Sequence, residues 1–252
     1  MRTQYYYEPP RSGANFLEKL RPLVEPPLAY IVTLVGLVLG VWLTINGNKY
    51  GPRILILLIA FPIHELAHAV VADWLGDPTP RNYGRITPNP LAQLNLIGSF
   101  LMLIVGLGWA YVPIQPNNLR PNPRTGHMIV AVAGPVSNVI LAILCAMLWH
   151  ALTPFVNNEI ADAALRILYQ FAWINLALFF FNLVPIAPLD GFFVLKGLLP
   201  YNMAFQLEKF QKYGMLVFLA VFFLAPFLGI PVLDYLIFAP ANTITQLMFF
   251  GV

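Results

Sequence analysis

His64, Glu65 and His68 fall within five residues of one another, inside FPIHELAHAVVADWLG (61–76), a stretch otherwise mostly apolar. On a helix the two histidines lie one turn apart. Both imidazoles then project from one face, about 6 Å apart, a separation suited to holding one ion. Glu65 lies about 100° around the helix from His64, beside such an ion. In this His-Glu-x-x-His spacing, as zinc hydrolases use it, the histidines ligate and the glutamate handles the proton of the attacking water. Two histidines do not complete a site. A third protein ligand must come from another segment, leaving one position for water or substrate.

The candidates for that ligand are few. His127 and His150 lie at opposite ends of one apolar run, so at most one can approach the ion. Asp73 faces about 140° away from His68 and marks a helix end, and Asp234 opens the last apolar run. Asp190 closes FNLVPIAPLDGFF, where Pro185 and Pro188 prevent a regular helix and Gly191 permits a tight turn. A broken helix at membrane depth survives only where protein or water satisfies its freed backbone groups, so this is a prepared polar site.

The elements that must position these groups are set by composition. Of 252 residues 59% are hydrophobic and 10% charged, and the mean hydropathy is +0.71. These values place the chain among all-α integral membrane proteins and outside ordinary soluble domains. Apolar windows predict about six transmembrane helices, near 28–46, 54–75, 127–150, 165–184, 213–228 and 231–250. Starting from residue 54, His64 lies roughly 15 Å into its span, where an unpaired carboxylate such as that of Glu65 is costly. The polar arm before residue 28 precedes an apolar run without a small-residue cleavage pattern, which reads as an uncleaved span. The expected organisation is an N-terminal arm (1–27) and one membrane domain (28–252) with its core at 54–200. The lone Cys145 excludes an intrachain disulfide. A net charge of +3 points to no nucleic-acid partner, and the surroundings are the lipid bilayer.

Segment 94–114, LNLIGSFLMLIVGLGWAYVPI, is interrupted by glycines and closed by Pro113 and Pro116. If it crossed fully, the fourteen Lys and Arg would divide evenly between the two sides. If it enters and returns as a re-entrant hairpin after the second span, eleven collect inside and only Lys49, Arg53 and Arg166 stay outside. The positive-inside bias selects the hairpin, with both termini cytoplasmic in the cell membrane. The same topology brings Asp190 to the half of the bilayer that holds His64 and His68.

Five stretches in order, HELAH (64–68), NPLAQLNLIGS (89–99), GWAYVPIQPNNL (108–119), AGPVSN (133–138) and NLVPIAPLDG (182–191), make the chain resemble the site-2 protease family of intramembrane zinc metalloproteases. The likeness is to the compact prokaryotic form without a PDZ domain, and it covers roughly residues 54–200. It implies one Zn²⁺ per chain bound by His64, His68 and Asp190, with Glu65 as general base. It implies a transmembrane protein as substrate and regulated intramembrane proteolysis as the process. It also places Asn182 near the ion as a hydrogen-bonding or oxyanion-stabilising group. An amide bridging two helices is the equal alternative for Asn182, and Asn138 has the same two readings. Asn175 reads as packing. Tyr111 stands where this branch often has Lys, which leaves the zinc site untouched.

Other function classes fit less well. A di-iron oxygenase needs about eight histidines, and four are present. A transporter does not require an open three-ligand set. A non-proteolytic zinc-binding scaffold or regulator is the alternative from another class, and it leaves Glu65 without work.

Overall fold

The computed structural model describes residues 27–104 and 111–252. A chain in hydrocarbon must satisfy its backbone groups within each segment, and the regular structure of the described residues is helical throughout. The principal helices are α1 (Leu28–Ile45), α2 (Tyr50–Trp74), α3 (Leu96–Ile104), α4 (Pro123–Leu152), α5 (Glu159–Leu183), α6 (Asp190–Leu198), α7 (Tyr201–Phe227) and α8 (Ala239–Phe250). Among the described residues, five of them, α1, α2, α4, α5 and α7, are long and apolar enough to cross a membrane.

These five coincide with five of the six expected spans. The sixth, 231–250, is helical through Asp234–Phe238 and α8, but Asn242, Thr243, Thr245 and Gln246 dilute its apolar run. Helix α7 starts at Tyr201, well before the apolar window at 213–228. Its first part, Tyr201–Phe210, is amphipathic and passes through a tight turn at Gln211–Tyr213 into the apolar stretch.

Three wide π turns interrupt the helices, at Ile56–Ala60, Ala220–Leu224 and Asp234–Phe238. Each ends two residues before a proline, Pro62, Pro226 or Pro240. A helix-interior proline lacks a donor and its ring crowds the carbonyl four residues back. Shifting the preceding bonds to i→i−5, as from Phe61 N to Ile56 O, makes room without breaking the rod. The turn at Ile56–Ala60 directly precedes the helical stretch that carries His64, Glu65 and His68.

Helix α4 is the hub, packed against α2, α5 and α6. Its buried face carries Ala131, Gly134, Ala142, Cys145 and Ala146, small side chains that let backbones approach closely in a membrane. Outward faces of α1 and α7 show large apolar side chains such as Leu34, Val38, Leu216 and Phe227, as a lipid-facing surface requires.

The segment expected as a hairpin leaves one end of α2 and returns to it, with residues 105–110 outside the described residues. Helix α3 runs toward the start of α2, where Arg53 donates to the carbonyls of Leu103 and Ile104 at 2.6 and 2.8 Å. The returning chain is fastened beyond the other end of α2. Asp77, fully buried, accepts from the Gln115 backbone N–H at 2.7 Å and from Asn118 Nδ2 at 3.1 Å. Arg120 N donates to Leu75 O at 2.9 Å.

Candidate metal centre

His64 and His68 are buried on the α4-facing side of α2. Asp190 is the first residue of α6, which also packs against α4. The Pro185 and Pro188 region forms consecutive turns, Ile186 N to Val184 O and Leu189 N to Ile186 O, which end α5 and restart the chain as α6. Gly191 makes this corner possible: a Cβ there would sit 2.6 Å from Val184 O and closer to Leu183 O.

The proton positions on both rings follow from their partners. Nδ1 of His68 lies 2.7 Å from Val130 O, a carbonyl that only accepts, so Nδ1 carries the proton and Nε2 a lone pair. Nδ1 of His64 lies 2.7 Å from Asn138 Oδ1 and donates in the same way. The two Nε2 atoms are 3.0 Å apart, and Asp190 Oδ2 lies 3.1 Å from one and 3.3 Å from the other. Three lone-pair atoms therefore face one another, a repulsive arrangement that a central cation converts to attraction. A tetrahedral site with bonds of about 2.0–2.1 Å has edges of about 3.3–3.4 Å. The donor set fits one such ion. No other group of three His, Cys, Asp or Glu side chains with this proximity occurs among the described residues.

The rival ligands lie elsewhere. His150 bonds Met248 O at 2.9 Å, Asp234 is exposed, and Asp73 pairs with Arg81. His127 lines the same cavity as the triad but stacks on Phe193, with centroids 4.3 Å apart.

A cavity of about 710 Å³ opens onto the triad. Glu65, buried, lines it beside the two histidines, and Asn182 and Tyr111 lie on its wall. Asn182 donates from Nδ2 to Leu178 O at 3.0 Å, one turn back on its own helix. Asn138 carries two readings, a group near the ion and an amide bridging two helices. It is fully buried and both ends of its amide are engaged inside the protein, Oδ1 by His64 and Nδ2 by Asn175 Oδ1 at 3.0 Å.

Sequence reasoning passed over three contributors. Gly134 faces both imidazoles without a side chain. Asn175 bonds Asn138 rather than only packing. Arg85, from the loop after α2, brings its positive charge to bear on Glu65. Burial draws the Arg85 guanidinium below its ordinary range, and Glu65 opposes that shift. Gly134 stands inside AGPVSN and so had a signal; the side-chain reach of Arg85 and Asn175 had none.

Residues 52–158 and 153–225 match the family model of peptidase family M50. The chain belongs to peptidase family M50. M50 is the family of the site-2 proteases. This M50 chain is 39% identical over 177 residues to the protein named "Putative zinc metalloprotease YwhC" of Bacillus subtilis, a match spanning 67% of this chain and 78% of that one. It is 26% identical over 219 residues to Rip2 of Mycolicibacterium smegmatis, spanning 80% and 82% of the two chains. It is 31% identical over 179 residues to Rip2 of Mycobacterium tuberculosis, spanning 68% and 66%. Both Rip2 proteins carry the same description as YwhC. No solved structure matches the chain.

Proposed function

We propose that this M50 chain is an intramembrane zinc metalloprotease that hydrolyses peptide bonds within or near transmembrane helices of membrane-protein substrates, as a step in regulated intramembrane proteolysis. The observation that carries this reading is the convergence of three lone-pair atoms, 3.0–3.3 Å apart, in a cavity that also holds a buried glutamate. His64, His68 and Asp190 would hold one zinc ion. When bound, zinc supplies Lewis acidity toward water and toward a substrate carbonyl.

Glu65 takes a proton from the attacking water as its oxygen bonds to the carbonyl carbon, and then delivers that proton to the leaving nitrogen as the C–N bond breaks. Asn182 lines the cavity wall, and we assign the amide N–H that its bond to Leu178 O leaves over to the substrate carbonyl oxygen. The returning segment at 111–115 offers backbone along which a substrate strand can lie once its helix has opened. Both termini are cytoplasmic, following the charge bias.

The decisive test is Glu65→Gln in purified protein supplied with a transmembrane substrate. Gln keeps the volume but cannot accept the proton, so zinc content should stay at that of the parent while cleavage falls at least about a hundredfold. Equal cleavage by the two proteins would remove Glu65 from the mechanism. A parent that binds zinc and cleaves no membrane substrate would favour a zinc-binding scaffold.

A further inference from the structure

A chain of amides leads away from His64. His64 Nδ1 meets Asn138 Oδ1 at 2.7 Å, Asn138 Nδ2 meets Asn175 Oδ1 at 3.0 Å, and Asn175 Nδ2 meets Phe171 O at 2.8 Å. Both asparagines are fully buried, on α4 and α5, and neither belongs to the donor set of the metal site.

The direction of this chain is fixed from its far end. Phe171 O is a backbone carbonyl and can only accept, so Asn175 must point Nδ2 at it and Oδ1 at Asn138. Asn138 must answer with Nδ2, which leaves its Oδ1 for His64. A ring that meets an acceptor at Nδ1 places its proton there and presents a bare Nε2 to the metal position. Were the Asn138 amide reversed, its NH₂ would face Nδ1, the proton would move to Nε2, and the ligating lone pair would be lost.

We propose that Asn175 is a positioning residue that selects the metal-binding tautomer of His64 by orienting Asn138. The inference rests on the zinc reading above. It assigns Asn175 more than packing, because what it transmits is a choice between two orientations of nearly the same shape. His68 needs no such relay, since Val130 O contacts its Nδ1 directly.

The test is zinc affinity of the purified full chain, measured by competition with a chromogenic chelator. Asn175→Leu frees the Asn138 amide to turn, and zinc should bind about tenfold or more weakly, the range for loss of a group that orients a ligating histidine. Asn138→Asp sets the reference affinity for the double variant, because a carboxylate offers His64 an acceptor whichever way it turns. The deciding variant combines the two. Asn138→Asp together with Asn175→Leu should recover the affinity of Asn138→Asp alone, a rescue that mere packing at Asn175 does not give.

If Asn175→Leu fails to fold, Asn175→Ser carries the same comparison, because a hydroxyl both donates and accepts and leaves the Asn138 orientation open. Unchanged affinity in the position 175 variants, or weakened affinity that Asn138→Asp does not rescue, overturns the relay while the zinc site stands. A parent that takes up no zinc overturns the metalloprotease reading, and the relay with it.

Discussion

A Cβ placed on Gly134 would stand 2.6 Å from Nε2 of His64, and closer still to Nε2 of His68. Helix α4 thus meets the two ligating rings with bare backbone, and no flexible neighbour there can yield without moving a ligand. Gly134→Ala should displace the imidazoles and strip most of the zinc, with cleavage reduced more than about a hundredfold. The fold should survive, since Ala in a helix interior is favoured over Gly by about 1 kcal/mol. Metal analysis and a thermal melt of the same sample check this; full zinc occupancy in the variant contradicts it.

Metal stoichiometry follows from the donor set. The purified protein should carry about one zinc per chain, and Asp190→Ala should lose it, because two histidines alone leave a four-coordinate site half filled. Chelation should abolish cleavage and lower the melting temperature, with both restored by added zinc; saturation at about a thousand times Kd corresponds to about 4 kcal/mol. Asp190→Ala protein that retains full zinc would require a different third ligand.

Asp77 ties the returning segment to the end of α2. Its carboxylate accepts from Thr79 N at 3.1 Å and Thr79 Oγ1 at 2.6 Å, besides Gln115 N and Asn118 Nδ2. Asp77→Ala leaves these donors without their acceptor, and the expected destabilisation is on the order of 3 kcal/mol. Cleavage should fall as well, since Tyr111 and Ile114 of this segment line the cavity. Chemical or thermal unfolding of the variant in detergent measures the first effect. A melt identical to that of the parent would show the tie to be dispensable.

Topology is testable with single cysteines. Asn117 and Gln206 are exposed and belong to segments that the charge bias assigns to the cytoplasm. With Cys145 replaced, cysteines at these positions should resist an impermeant thiol reagent in intact cells and react after the membrane is opened. Labelling from outside at either position argues against the re-entrant arrangement.

The membrane class and the chemistry-bearing turn of α2 are written in the residues themselves. Both are local properties: hydropathy accumulates along a segment, and the i, i+4 spacing of His64 and His68 sets their shared face whatever the rest of the chain does. Asp190 was legible too, because Pro185, Pro188 and Gly191 mark a break that only a polar site tolerates at that depth. The early start of α7 was not legible, since hydropathy windows do not register amphipathic turns at a helix end. Which amides stand behind the ligands depends on how the helices pack. Asn138 meets His64 across 74 residues and Asn175 across 37, and the bare face of Gly134 gains meaning only beneath the two rings. Such contacts depend on the rotation and crossing of whole helices about α4, which many distant side chains fix together, so no single stretch of sequence encodes them.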